Sequence, residues 1–358
     1  MPYAMNATPQ LVYLAFGADI YQREAVFSIA SALAHSDYCV SDHTFAIQVF
    51  TDNPKFYARL PVTTHAIAPT WDGPHRYHFR IKHAALLNVL SEYQKAVLID
   101  TDTFFRVSPD LLFERVTDGS LLCNAIGAPL GESPPLPKQS VSYLSKTGLL
   151  QPNLRQTNSG VIGLTTADKG TLEHSIKLMD DMRPLAPQLY TLEELSLALA
   201  AHGKLKLNDC TDLIHHYWSH KAQFRAKIQA WHSKHHNEPL SKAAMVDVLL
   251  VNDRLPRPSQ PYRGWQKAVT ALIDKERRQF IRELLYGCHD YSNEFDQACA
   301  VAWWDKALVN LEERQEQPLS SEHMTLWLTD PLLKLLAGSH YDTMQAHLLS
   351  RLKAKQVV

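Results

Sequence analysis

AVLIDTDTFF, residues 96–105, runs from an unbroken apolar stretch straight into two aspartates, Asp100 and Asp102, separated by Thr101. A short apolar run of this kind reads as a strand buried on both faces, as in a parallel sheet. Carboxylates at i and i+2 lie on one side of an extended chain, so both can face a single ion. Hard oxygen ligands suit Mg²⁺ or Mn²⁺, which bridge to substrate phosphates. In open α/β sheets ligands bind at the carboxyl ends of the strands, where these acids fall. The bland reading is a strand-end turn with two solvated aspartates. The apolar strand before the acids, and the pattern around them, weigh toward an ion site.

Outward from this stretch, strand and helix patterns alternate. LVYLAF (11–16) reads as a buried strand ending at Gly17, and a helix-period segment follows with Ala25, Ile29, Ala32 and Leu33 on one face. FAIQVF (45–50) is a second strand, stopped by Asp52-Asn53-Pro54, and THAIAP (64–69) a third. Residues 80–93 read as a helix with Ile81, Ala84, Ala85 and Leu87 on its apolar face; VIGL (161–164) is again a strand and residues 191–202 a helix. Alternation of this sort predicts an α/β fold, a largely parallel sheet with helices on both faces. Residues 127–153, with Pro129, Pro134, Pro135, Pro137 and Pro152, show no period and read as a long loop. A second proline cluster, Pro256, Pro258 and Pro261, marks a boundary near residue 250. Two domains are expected, 1–250 and a helical 251–358, and no internal repeat is visible.

Composition narrows the classes further. The 358 residues are 45% hydrophobic and 20% charged, as in soluble globular proteins, and the net charge of -1 offers no global field for nucleic acid or membrane. Five scattered cysteines do not make a disulfide framework, which favours a reducing compartment. The opening MPYAMNATPQ lacks a signal-peptide layout and no apolar run is long enough to span a bilayer. A cytoplasmic protein is expected, with any membrane contact made from the surface.

With the acidic triplet placed, the first 235 residues or so resemble GT-A-fold glycosyltransferases, particularly the glycogenin-like retaining group (glycosyltransferase family 8-like). The resemblance rests on an opening strand followed by Asp19-Ile20-Tyr21 and a second strand ending in Thr51-Asp52. It continues with Arg80-Ile81-Lys82 opening the helix before the acidic strand, and Asn158-Ser159-Gly160 before an apolar strand. Glu193-Glu194 at a helix start and His216-Tyr217-Trp218 before Lys221 complete the order. It implies a Rossmann-like mixed sheet and transfer of a hexose-type sugar from a nucleotide-diphosphate donor, with UDP as the favoured carrier. By carry-over, Asp100, Asp102 and a late histidine hold Mn²⁺ or Mg²⁺. His215 and His216 compete for that place, and the His-Tyr-Trp...Lys layout favours His216. The glycine that the family usually carries between His and Lys is absent. Lys221 is expected at the diphosphate, steadying charge on the departing nucleotide. Phe16, Tyr21 and Thr101 are expected at the donor, Tyr21 by stacking on its base, and Arg80 or Lys82 at the phosphates or sugar. Asn158, Ser159 and Gly160 would meet the donor sugar or the acceptor, and Glu193 or Glu194 would flank the anomeric carbon.

Each of these has a plainer reading. Asn158-Ser159-Gly160 is also a good turn. Glu193 and Glu194 are also first-turn acids favouring a helix N-terminus, with Thr191 as its cap. Tyr21 is also a packing aromatic, and Arg80 and Lys82 a solvated helix start. His215 and His216 are adjacent, so on a strand only one can point into a site. Residues 215–236 hold six histidines, three lysines, Arg225 and no acid; Phe224, Ile228 and Trp231 share one helical face, so a basic amphipathic helix is expected. His232 and His236 lack a third ligand for zinc.

The reaction expected is glycosyl transfer with retention, to a glycan, protein or small-molecule acceptor that the sequence does not name. The rivals are a sugar-nucleotide-binding scaffold without turnover and a haloacid-dehalogenase-type phosphohydrolase. The latter begins with a strand and D-x-D but wants Thr or Val where Phe104 stands, and carries the motif near the start of its core.

Overall fold

The computed structural model describes residues 5–36, 44–132, 136–151, 153–314 and 321–356. The chain divides into two compact units, Met1–Trp218 with Asn237–Val248, and Ser219–His236 with Leu249–Val358. On its C-terminal side this division falls beside residue 250, and it also assigns the segment 219–236 to the second unit.

The first unit is built on β1 (Gln10–Ala15), α1 (Asp19–Ala34), β2 (Ala46–Thr51), β3 (Thr63–His65), α2 (Arg80–Val89), β4 (Lys95–Ile99) and β5 (Thr103–Phe105). It continues through α3 (Pro109–Glu114), β6 (Ser120–Cys123), β7 (Ile126–Pro129), α4 (Lys138–Lys146), β8 (Arg155–Thr157) and β9 (Val161–Thr165). It closes with α5 (Gly170–Met182), α6 (Leu192–Ala201), β10 (Lys206–Asn208) and β11 (Ile214–His216). Seven strands form one sheet in the order β3-β2-β1-β4-β9-β6-β10. β1 is parallel to β2 and β4, β2 to β3 and β6 to β10, while β9 runs antiparallel to both β4 and β6. The expected α/β fold with a mostly parallel sheet is therefore what forms.

Alternation along β1 shows how both faces are covered. Val12 packs with Ala85, Leu86 and Val89 of α2 and with Leu172 and Leu197 of α5 and α6. The next side chain, Tyr13, turns to the other face, where its hydroxyl meets Ser28 of α1 at 3.0 Å. Strand polarity thus converts the continuous apolar run into two cores. β1 and β4 are neighbours; after β1 the chain moves outward to β2 and β3 on one side, and after β4 it moves to β6 on the other, with β9 between β4 and β6 and β10 at the edge. The carboxyl ends of this pair form the switch point of the sheet, and the acidic triplet follows β4 there.

Some details differ from the sequence reading. The third strand stops at His65 and the helix from Arg80 stops at Val89. The expected loop 127–153 contains the end of β7 and the whole of α4, with Leu144 buried. Pro137 sits just before that helix, where proline costs nothing; the prolines flank the helix and do not interrupt it. Pro134, Pro135 and Pro152 lie outside the described residues.

The second unit is helical: α7 (Lys221–His235), the end of α8 (Lys242–Leu250), α9 (Gln260–Val269), α10 (Lys275–Gly287), α11 (Glu294–Gln297), α12 (Ala300–Arg314), α13 (Ser321–Leu328), α14 (Pro331–Ala337) and α15 (Tyr341–Gln356). Phe280, Leu284, Trp304, Leu308, Met324, Leu333 and Met344 join in its core. Gly287 lets α10 approach α12: a methyl there would stand 2.5 Å from the Ala300 carbonyl oxygen and from the Trp304 indole nitrogen. On α7 the buried face contains Phe224, Ile228 and Trp231, and also Lys227. The buried Lys227 ammonium donates to the carbonyls of Asn252 and Arg254 and pairs with Asp296 at 2.6 Å, which offsets its desolvation. Among the described residues no helix is long and apolar enough to cross a membrane, and Cys123, Cys210, Cys288 and Cys299 are free.

Candidate metal site

The site grows out of two strand pairings at the switch point. Ile99 of β4 lies opposite Val161 of β9, and the Asp100 amide continues the ladder by donating to the Gly160 carbonyl at 2.9 Å. This sets Asn158-Ser159-Gly160 beside the acidic triplet. β5 then pairs antiparallel with β11, His216 opposite Thr103 and His215 opposite Phe104. Successive side chains of β11 point to opposite faces. His216 turns toward the acids, while His215 packs on the Phe104 ring and its Nδ1 lies 3.1 Å from Arg106. Ligand atoms of Asp100, Asp102 and His216 lie within 4.8 Å of one another.

Asn158 fixes the His216 ring. Its Oδ1 accepts from the Gly160 amide at 3.1 Å and lies 3.1 Å from His216 Nδ1, while its Nδ2 donates to Glu194 Oε1 at 3.0 Å. An oxygen acceptor at Nδ1 requires the proton there, a tautomer assigned from the hydrogen-bond network. His216 Nε2 lies 3.4 Å from Asp102 Oδ1. A proton on Nε2 would make this an ion pair; with the lone pair free, the two acceptors can share a cation between them. Their separation is close to the roughly 3 Å between neighbouring ligands of an octahedral ion held at about 2.1 Å. Two carboxylates and an imidazole nitrogen make a donor set that fits a divalent cation. Gly160 is required for steric reasons, since a methyl there would overlap the His216 imidazole.

A buried polar chain leads away from the acids. The Lys82 ammonium donates to Asp100 Oδ2 at 2.7 Å and lies 3.4 Å from the Ser159 hydroxyl. Burial alone would lower its pKa, but Asp100, Glu193 and Asp102 outweigh that and hold it above the usual lysine value. Ser159 donates in turn to Glu193 Oε1 at 3.1 Å, and the Tyr77 hydroxyl is 2.7 Å from Glu193 Oε2. Tyr77 also accepts from the Glu193 amide at the start of α6, while Thr191 makes no side-chain cap. The expected cap is thus supplied by a tyrosine distant in sequence, which sequence reading missed because nothing marks it within HRYHF.

Glu194 occupies a different setting. Its Oε1 accepts from both Asn158 Nδ2 and the Ser159 amide. Burial pushes its carboxyl up to about 7, against the Ser159 amide, which favours the charged form, with Glu193 adding to the rise.

Not every expected residue comes to this cluster. Arg80 is drawn off by a bidentate pair with Asp180, at 2.8 and 3.0 Å, and by the Trp71 carbonyl. The structure brings Lys82, and not Arg80, to the acids. Thr101 is buried within the triplet, and Asp102 accepts from the Tyr217 amide through its backbone carbonyl. Phe16 and Tyr21 flank the turn after β1, Tyr21 largely exposed. That turn is anchored by Asp52, whose carboxylate accepts from the Gly17 amide at 2.8 Å and from Gln22 at 3.0 Å. Lys221 opens α7 in the second unit.

No protein-family model matches the chain, and no curated protein does. Among solved structures it is similar to the apo structure of WbbM, described as a bifunctional glycosyltransferase. The TM-score is 0.39 and the identity 17%, over 59% of this chain and 40% of that one, so the chain spans less than half of WbbM's length. It is also similar to apo mouse xyloside xylosyltransferase 1, with TM-score 0.38 and 13% identity over 58% of this chain and 85% of that one. The glycosyltransferase GlyE of Streptococcus pneumoniae TIGR4 gives 0.35 and 12%, over 66% and 51%.

Two outcomes are expected here. Gly160→Ala should displace the ring of His216, the candidate ligand, and weaken Mn²⁺ binding at least about tenfold. Electron paramagnetic resonance of free Mn²⁺ reads this directly, and unchanged affinity would remove His216 from the ligand set. Glu194→Gln tests the raised carboxyl. A carboxyl raised in the folded state stabilises the fold fully below its unfolded value of 4.5, and that contribution is lost as pH rises through about 7. Between pH 5 and pH 8 the variant should therefore gain on the native chain by up to about 3 kcal/mol. Denaturant melts at the two pH values decide it; parallel behaviour of the two proteins would mean Glu194 titrates normally.

Proposed function

We propose that the chain is a glycosyltransferase of the GT-A type that takes a sugar from a nucleotide-diphosphate donor, a UDP-sugar by preference, with a divalent cation. The observation that carries this reading is the meeting of Asp100, Asp102 and His216 at the switch point of a mostly parallel sheet. A switch point is where such sheets hold nucleotides, and this donor set suits an ion that bridges to a diphosphate. The glycogenin-like order of motifs supports the same assignment and favours retention.

In this reading the roles are assigned as follows. Asp100, Asp102 and His216 hold Mn²⁺ or Mg²⁺. When bound, the ion neutralises charge that develops on the diphosphate. Asn158 holds the His216 tautomer, and Lys82 holds Asp100. Phe16, Tyr21 and Thr101 are assigned to the nucleotide end, and Ser159 and Gly160 to the sugar. Both Glu193 oxygens are engaged within the protein, so we assign Glu194 to the reacting sugar and Glu193 to positioning. Lys221, five residues after His216, is assigned to the departing nucleotide. We assign catalysis to residues 1–250 and acceptor or partner contact to the helical 251–358; the acceptor is a glycan, protein or small molecule.

Calorimetry with UDP should give binding in Mn²⁺ at least about tenfold tighter than in EDTA, since the ion supplies the charge that balances the diphosphate. Equal affinity in the two buffers would sink the metal role. In a nucleotide-sugar hydrolysis screen reading released UDP, Lys221→Ala should lower kcat with KM little changed. An interaction made mainly in the transition state is worth on the order of 3 kcal/mol, roughly a hundredfold. Turnover of para-nitrophenyl phosphate instead would establish the phosphohydrolase, and UDP binding without turnover of any sugar nucleotide the scaffold.

A further inference from the structure

Lys82 stands where a lysine is costly. It lies in the first turn of α2, 9% exposed, between the buried Ile81 and the fully buried His83. Its ammonium donates to Asp100 Oδ2 at 2.7 Å, and Ser159 offers it a hydroxyl at 3.4 Å and a carbonyl at 3.5 Å. The Phe79 ring centre lies 5.5 Å away. Three protons meet a carboxylate, a hydroxyl and a carbonyl, so the ammonium is held on Asp100.

Three acids attract this charge. Asp100 is in contact, and Glu193 and Asp102 are near enough to act on it. Two of the three, Asp100 and Asp102, are carboxylates of the candidate metal site. Lys82 is therefore a cation of the protein's own, seated on a carboxylate that an added ion must also use. Both side chains of the pair are mostly buried, so water and salt screen little between them. An ion taking the other oxygen of Asp100 meets a carboxylate whose charge is already balanced. It also meets the repulsion of the ammonium.

A neutral hydrogen-bond donor at this place would orient Asp100 as well. What the charge adds is a sign: it disfavours a second cation and favours an anion. A diphosphate brings several negative charges to the same point and reverses the balance. We propose that Lys82 is a built-in counter-ion of the metal site, which keeps the affinity for a free divalent cation low and reserves tight binding for a cation accompanied by its diphosphate. The proposal rests on the metal role assigned to Asp100 and Asp102, and its test separates the two.

The test is Mn²⁺ titration without nucleotide, read by electron paramagnetic resonance, of the native chain, Lys82→Met and Lys82→Gln. Methionine keeps most of the stem and removes the charge. Both variants should bind Mn²⁺ at least about tenfold more tightly than the native chain, because a unit charge beside a poorly screened divalent ion is gone. At saturating Mn²⁺, calorimetry should show both binding UDP more weakly than the native chain does. Opposite signs for the two ligands are what lost charge produces; a misplaced Asp100 would weaken the ion. Removing the lysine also leaves a largely buried carboxylate unbalanced, so the variants should melt below the native chain. An ion that takes over the balance should recover this, and Mn²⁺ should raise their Tm by more than it raises the native one. Mn²⁺ affinity equal to or weaker than native, UDP affinity undiminished, or variants that stay unfolded in Mn²⁺ would each overturn the proposal. If neither the native chain nor the variants take up Mn²⁺, with or without UDP, the metal role itself falls and the proposal with it.

Discussion

The Asp100 amide donates to the Gly160 carbonyl at 2.9 Å, the last rung of the ladder between β4 and β9. Among the described strands of the sheet β9 alone runs antiparallel to its neighbours, so its beginning, and not its end, lies beside the carboxyl end of β4. A parallel neighbour would have brought its last residues there, with the turn Asn158-Ser159-Gly160 at the far edge of the sheet. The reversal brings that turn against the acids and, through it, the first turn of α6. The short antiparallel pair β5–β11 supplies His216 from another side. Three segments far apart in the chain are held to a common point by backbone hydrogen bonds, which is the rigid support a metal site requires.

That support carries a dense polar load. Asp100, Lys82, Ser159, Glu193 and Tyr77 form one connected chain, with Lys82, Ser159 and Glu193 nearly or fully buried. Buried polar groups of this number would be costly if left unpaired, and each here has a partner in the chain. Two carboxyls that are neighbours in sequence consequently differ in character. Glu193 is fixed by hydroxyls at both oxygens, while Glu194 is raised to about 7 by burial although an amide favours its charge. Arg80 shows the opposite outcome on the same helix: two residues before Lys82, it points elsewhere and is matched by Asp180.

The second unit solves burial differently. Helix faces meet through aromatic and leucine side chains, with Gly287 allowing close approach. Its charged interior group, Lys227, is satisfied by backbone carbonyls and one acid, so a lysine sits on what periodicity alone marks as an apolar face. α9 inverts that logic, with Gln266 buried and Trp265 exposed. Amphipathic period identifies a helix, but it does not say which face is covered.

By itself the sequence determined the central strands, because β1, β2, β4 and β9 are short, mostly apolar runs, the first three closed by Gly17, Asp52-Asn53-Pro54 and Asp100. It also put two carboxylates at the end of β4, but Thr101 and Asp102 form a bend and not an extended segment, so the approach of Asp100 and Asp102 to His216 belongs to the tertiary structure. The helical character of residues after the second proline cluster was legible for the same reason of period. α4 was not, because prolines at its flanks masked a helix they do not enter. The choice of His216 over His215 needed the register of β11 against β5, which no local pattern encodes. The tyrosine cap on α6, the diversion of Arg80 to Asp180 and the steric demand at Gly160 all depend on groups distant in sequence. Tertiary structure decided these because hydrogen bonds and excluded volume act between neighbours in space, and only the folded sheet makes Gly160, Asn158 and His216 neighbours.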